Sequence, residues 1–222
     1  MSRPAEPAQG SPRAVYGVLT GIALFAGLAI ALAFELTAPH VARERTAAIA
    51  DAVLDVLPGA VVWQGFALDS DGSLAPLASG ATGAALYAGY DSAQRLVGFA
   101  VPAQGMGYQD RIGLLYGIDP ARRRLLGLRV LESRETPGLG SRIADDPAFA
   151  EPFRDLSLDI DAAGVPRPLG IARGKRQAGE IDGITGATVS SAAVARIVSD
   201  SVLAWWPRLT TFQTNLGGTQ DG

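Results

Sequence analysis

Ile112-Gly113-Leu114-Leu115-Tyr116-Gly117-Ile118, then Asp119-Pro120-Ala121-Arg122, then Leu125-Leu126-Gly127-Leu128-Arg129-Val130-Leu131-Glu132 is the stretch that decides the fold class. Two apolar runs of strand length flank a Pro-containing turn too short for a crossover helix, so the strands must run antiparallel. Working towards the N-terminus, Val61-Val62-Trp63, Ala84 to Tyr90 and Leu96 to Val101 repeat the pattern, with Asp91-Ser92-Ala93-Gln94 as another turn. Such close spacing predicts an antiparallel sheet rather than a dinucleotide-binding parallel one. Gly105-Met106-Gly107 lacks the rest of a GxGxxG fingerprint and is not read as one.

Helices flank these strands, which makes the class α+β. Val41 to Leu57 reads as an amphipathic helix, with Ile49, Val53, Leu54 and Leu57 on its apolar side, stopped by Pro58-Gly59. Pro147 to Leu156 reads as a short helix, and Leu158 to Ile160 and Leu169 to Ala172 as short extended pieces. Val194, Ile197, Val198, Val202 and Trp205 recur at helical spacing until Pro207, which predicts a last helix ending there. The domain therefore spans residues 40–208, and 209–222 is expected to be a flexible tail.

From Ala14 to Phe34 there are 21 residues without a formal charge. At about 1.5 Å per residue that length crosses a hydrocarbon core of about 30 Å. Residues 14–36 are read as one transmembrane anchor helix, with Tyr16 at an interface and Gly17, Gly21, Ala23, Gly27 and Ala31 as small packing surfaces. The alternative is a cleaved signal peptide, for which Ala31-Leu32-Ala33 resembles a cleavage site, although the apolar run exceeds the usual ~7–15 residues. Arg3 and Arg13 on one side face Arg43 and Arg45 on the other, so charge does not decide the sidedness.

With 222 residues, 48% hydrophobic, and a net charge of −3, the chain has ample material for one core but no basic field, which argues against a nucleic-acid partner. Lys175 and Arg176 either attract phosphate or face water.

The chemistry-bearing stretch is Asp182-Gly183-Ile184-Thr185-Gly186-Ala187-Thr188-Val189-Ser190-Ser191, a cluster of hydroxyls on a Gly-rich turn where the last helix begins. Two uses fit. Ser and Thr at such a place cap the orphan N–H groups of the first turn. The same N–H groups and the positive end of the helix dipole also favour a phosphate without any Lys or Arg.

Thr185-Gly186-Ala187-Thr188-Val189-Ser190-Ser191 resembles the flavinylation motif of the membrane flavoprotein family that contains the G subunit of Rnf-type electron transport complexes and the C subunit of the sodium-pumping NADH:quinone oxidoreductase. Glu135-Thr136-Pro137-Gly138-Leu139-Gly140 is similar to a signature loop of that family, and Gly107-Tyr108-Gln109-Asp110-Arg111-Ile112 to its Gly-Tyr segment, though Asp110 stands where a Gly is common. The resemblance implies an FMN-binding domain behind a single membrane helix, with FMN joined covalently through its phosphate to Thr188 by a separate flavin transferase that uses FAD. It also implies cofactor contacts from Thr185, Gly186, Ala187, Ser190, Ser191, Glu135, Thr136, Gly138, Leu139 and Tyr108. The chain has no Cys and a single distant His40, so thioether and histidyl flavin links have no ready partner.

The function this resemblance implies is that of an electron-transfer subunit of an ion-translocating Rnf-type complex, which couples ferredoxin and NAD(H) chemistry to ion movement beside other membrane subunits. The implied location is the bacterial inner membrane, with residues 1–13 cytoplasmic and the FMN domain facing the periplasm. A membrane-anchored FMN-binding sensor or assembly module is the alternative.

Overall fold

A computed structural model describes residues 12–69, 72–78, 83–172 and 177–217. Lys175, Arg176 and Arg3 lie outside the described residues. The chain divides into two units, residues 1–47 and 48–222.

In the first unit, Val15–Thr37 forms 23 residues of helix with a mean hydropathy of 2.3 and no buried side chain, long and apolar enough to cross a membrane. Thr37 turns its hydroxyl back onto the helix, donating to the Ala33 carbonyl at 2.5 Å. The two helices expected before the sheet are one, α1 (Pro12–Val56). Between the apolar stretch and the amphipathic one Pro39 is the one strong helix breaker, and Glu35, Leu36, Ala38 and the alanines and charged residues that follow are good helix formers.

The second unit holds an antiparallel sheet of β1 (Val62–Leu68), β2 (Leu74–Pro76), β3 (Leu86–Tyr90), β4 (Leu96–Met106), β5 (Arg111–Asp119), β6 (Arg124–Ser133) and β7 (Leu156–Ser157), in the order β2-β1-β3-β4-β5-β6-β7. The hairpin of β5 and β6 is its best-paired part: Tyr116 pairs with Leu128 and Gly117 with Gly127. Period-two alternation sends Leu114, Tyr116 and Ile118 into the larger core and Leu115 into the smaller one.

Each face has its own cover. The last residues of α1 put Ala52, Val53 and Val56, followed by Leu57, against Tyr87, Ala100 and Leu115. The opposite face packs Phe99, Val101 and Tyr116 against Val194, Ile197, Val198 and Val202 of α4 (Thr188–Gly217). That helix crosses β4 so closely that a Cβ on Gly105 would lie 2.6 Å from Ile197 Cγ1.

Two expectations are corrected on this face. α4 does not end at Pro207 but continues to Gly217, because Leu209 is fully buried and Phe212 packs edge-on against Phe66 with ring centroids 5.0 Å apart. Residues 210–217 are therefore helical rather than a loose tail, while 218–222 lie outside the described residues. Pro147 to Leu156 is not one helix: α2 (Arg142–Asp145) precedes α3 (Pro147–Ala150), a 3₁₀ turn covers Glu151–Phe153, and Leu156 already belongs to β7. Pro152 lacks the N–H that would continue an α-helix, which favours the tighter turn. The chain between β7 and α4 carries a small parallel pair, β8 (Gly170–Ile171) with β9 (Glu180–Ile181).

Candidate functional site

Gly186, at φ +86°, turns the chain into α4, and the Ala187 N–H donates to the Ile184 carbonyl at 2.9 Å to close that turn. The Ser191 N–H donates to the Ala187 carbonyl at 2.9 Å, the i to i−4 bond that opens the helix. The N–H groups of Thr188, Val189 and Ser190 precede it and lie at the positive end of a 30-residue helix.

The hydroxyls on this turn are not equivalent. Ser191 is fully buried, donates to the Ala187 carbonyl at 2.9 Å and accepts from the Ile184 N–H at 3.2 Å. Ser190 is buried and donates to Glu135 Oε2 at 2.5 Å. Thr188 is exposed, and its hydroxyl makes a long 3.4 Å contact with the Ile184 carbonyl. Thr185 is exposed too, and its carbonyl accepts from Arg142 Nη1 at 2.9 Å, while Arg142 Nη2 bonds Asp146 at 3.0 Å.

The loop after β6 meets this turn from the side. Leu139 N–H and Ser141 N–H both donate to the Thr136 carbonyl at 3.2 Å, and Gly138 takes φ +75°, a left-handed conformation suited to glycine. A Cβ added to Gly186 would lie 3.9 Å from Leu139 Cδ2, so the two loops are neighbours. Thr136 Oγ1 donates to Gln109 Oε1 at 2.8 Å, which ties in the 107–110 segment.

Glu135 lies beneath all three pieces, 5% exposed. Its Oε1 accepts the backbone N–H of Gln109 at 3.0 Å and of Asp110 at 3.4 Å. Burial alone would raise its pKa, but the Ser190 hydroxyl and these backbone donors outweigh burial and hold the carboxyl below its ordinary value.

The structure thus brings Thr185, Gly186, Thr188, Ser190, Ser191, Glu135, Thr136, Gly138 and Leu139 into one neighbourhood. Ala187 is buried and contributes through its backbone, and Tyr108 is 70% exposed on the adjoining segment. Leu139 and Val189 are also more than half exposed, giving an apolar margin beside Thr188. On the other side Thr188 and Thr185 line an open cleft of about 430 Å³ with Ile171, Ala172, Gly183 and Ala192. Gln109, Arg142 and the glycines Gly107 and Gly140 were not among the expected site residues; the two glycines flank a buried glutamate in space, which no local pattern announces.

The family profile described as the FMN-binding domain matches residues 107–202, a span holding all of this neighbourhood. The residues fit that group: an exposed hydroxyl at a helix N-terminus suits a phosphate, and the exposed apolar side chains beside it suit a flat ring. NqrC from Shewanella oneidensis shares the fold with a TM-score of 0.50 at 19% identity, covering 71% of this chain and 74% of that one. Its counterpart in the Na(+)-translocating NADH-quinone reductase from Parabacteroides distasonis does so with a TM-score of 0.51 at 19% identity, covering 66% and 76%.

Among curated proteins, the G subunit of the proton-translocating ferredoxin:NAD(+) oxidoreductase complex of Clostridium ljungdahlii is 30% identical over 118 residues, 53% of this chain and 56% of that one. The G subunit of the ion-translocating oxidoreductase complex of Pseudomonas aeruginosa strain UCBPP-PA14 is 44% identical over 94 residues, 41% of this chain and 40% of that one. The protein of the same name from Methanosarcina acetivorans is 32% identical over 155 residues, 68% of this chain and 72% of that one. On that extent of likeness, the chain belongs to the family of G subunits of ion-translocating oxidoreductase complexes.

Proposed function

We propose that this chain is a membrane-anchored electron carrier of an Rnf-type complex, and that it holds FMN by a phosphoester to Thr188. The observation that carries the reading is the inequality of the hydroxyls: Ser190 and Ser191 are buried and committed to Glu135 and Ala187, whereas Thr188 is exposed at the positive end of α4. FMN, when bound, supplies one- and two-electron exchange. The chain's own part is to hold the phosphate at the helix end and to offer Leu139, Val189 and Tyr108 as an apolar margin.

A threonine hydroxyl is a weak nucleophile unaided, which fits attachment by a flavin transferase. Thr188 Oγ forms a bond to the phosphorus of the FMN half of FAD as the pyrophosphate bond breaks and AMP leaves; the hydroxyl proton goes to a base of the transferase. The apolar helix Val15–Thr37 anchors the chain beside the other subunits of the complex. In this reading the flavin domain faces the periplasm from the bacterial inner membrane.

Coexpression with a flavin transferase tests the assignment. The wild-type chain is expected to fluoresce on a denaturing gel and to gain the mass of one FMN less one water, mapped to the peptide holding Thr188. Thr188→Ala is expected to lose all covalent flavin while its thermal unfolding is unchanged, because the side chain it truncates is exposed. Covalent flavin on another residue would sink the assignment.

A further inference from the structure

The Glu135 carboxylate has a role that hydrogen-bonded burial alone does not require, because it joins three separate pieces of chain at the point where Thr188 is presented. Its Oε2 takes the Ser190 hydroxyl at 2.5 Å and its Oε1 takes the Gln109 N–H at 3.0 Å. An O–H···O⁻ bond this short belongs to the stronger class of charge-assisted hydrogen bonds. Glycines stand where the carboxylate needs room: a Cβ on Gly107 would overlap Oε1, and one on Gly140 would lie 2.8 Å from Oε2 and 2.7 Å from Ser190 Oγ.

Ser190 is two residues beyond Thr188 on the first turn of α4. At about 3.6 residues per turn the two side chains point about 200° apart around the helix axis. Holding Ser190 inward therefore holds Thr188 outward. The same bond withdraws Ser190, a neighbouring hydroxyl of the motif, from reaction.

We propose that Glu135 is a positioning residue for flavin attachment: by holding Ser190 it fixes the first turn of α4, so that of the hydroxyls on that turn Thr188, and not Ser190, is presented to the FAD-bearing transferase. This rests on Thr188 being the acceptor. The terminus of a mobile turn samples many directions, whereas a turn pinned to two loops offers one, and misplacement of a reacting atom by about 1 Å costs roughly 100-fold in rate.

The test uses the full-length chain, purified without flavin in detergent and then given transferase and FAD, with attachment followed by intact mass and rates expressed per folded molecule from near-UV circular dichroism. Ser190→Ala cuts the link to α4 but leaves Glu135 its backbone donors; Glu135→Gln keeps the shape and removes the charge. Each is expected to lower kcat for attachment roughly 10- to 100-fold with KM for this chain little changed. The double variant is expected to be no slower than the slower single, since both act on the same bond, which one removes and the other strips of its charge. Ser199→Ala is the control: Ser199 is another buried hydroxyl of α4, bonded to the Ala195 carbonyl at 2.6 Å and to the Leu169 N–H at 2.8 Å, and its loss is expected to destabilise the chain without slowing attachment.

Attachment to Ser190→Ala at the wild-type kcat, or an equal slowing in Ser199→Ala, would overturn the positioning role. A wild-type chain that takes no flavin on Thr188 would overturn the acceptor assignment instead, so the two failures are distinguishable.

Discussion

Two seams in the flavin domain are built on glycine, and they serve different ends. At the first, Gly117 and Gly127 sit side by side on β5 and β6 and let the backbone at the end of α1 lie directly on the sheet; a Cβ on Gly127 would be 3.0 Å from Val56 Cα, and one on Gly117 would overlap the Val56 carbonyl oxygen. At the second, Gly107 and Gly140 make room for the Glu135 carboxylate and the Ser190 hydroxyl. The first seam meets backbone, which cannot move without moving the helix. The second meets chiefly side-chain ends, which can rotate away at the expense of one hydrogen bond, with the Asp110 carbonyl oxygen and Glu135 Cβ as its fixed neighbours, each 2.9 Å from an added Cβ. Steric substitution should therefore break the fold at one seam and the site at the other.

The largest effect is expected from Gly117→Ala. Its new methyl has no rotamer to escape through, so α1 must lift from the smaller core, where Val53, Val56 and Leu57 are fully buried. The cost should be about 3 kcal/mol, at the upper end for overpacking, read as a lowered midpoint in chemical denaturation of the detergent-solubilised chain. Molecules that remain folded are expected to accept flavin at the wild-type rate, and a loading defect beyond the folded fraction would show that the two seams are coupled.

Gly140→Ala should do the reverse. Its Cβ would press on Ser190 Oγ, Glu135 Oε2 and Glu135 Cβ at 2.7, 2.8 and 2.9 Å. Rotation of the Glu135 carboxylate relieves the contact with Oε2 but gives up its bond to Ser190, and a small shift of the loop backbone must relieve the contact with Cβ, so flavin attachment should slow by about tenfold or more, while stability falls by about 1–2 kcal/mol. Near-wild-type attachment in a variant measurably less stable would place this seam with the first.

The two seams also mark where sequence reading ran short. The β5–β6 hairpin was legible because its signals are local: two apolar runs and a Pro-containing turn with no room for a helix. The end of α4 was not, since Pro207 is a local stop signal and the packing of Phe212 on Phe66 and Phe99 that overrides it is tertiary. The loop at 135–140 and the motif at 182–191 each stood out in the sequence. Their joining through Glu135 and Ser190, 55 residues apart, exists only once β6 and α4 have been placed by the sheet. Nor could the hydroxyls be ranked from the sequence, because exposure of Thr188 and burial of Ser190 follow from which side of α4 packs on β4.

The smallest effect, and the one that isolates the second seam without changing its shape, is acid. Glu135 ionises more readily in the folded chain than in the unfolded one, because Ser190 and the backbone N–H groups of the 107–110 segment stabilise its charge against the effect of burial. A depressed folded-state pKa stabilises the fold fully above the unfolded value of about 4.3, and that contribution disappears as the pH falls through the folded value, where both states are protonated. The neighbouring charges are Asp110, which accepts the Arg111 N–H at 2.7 Å, and Arg134, 3.9 Å from the Asp110 carboxylate. They remain in both proteins when the wild type is compared with Glu135→Gln, so the difference between the two Tm values reports chiefly on Glu135. That difference is expected to be constant from neutral pH down to about 5 and to shrink below it; a difference that stays flat to the acid limit of folding would mean that the carboxylate's charge contributes nothing at this seam.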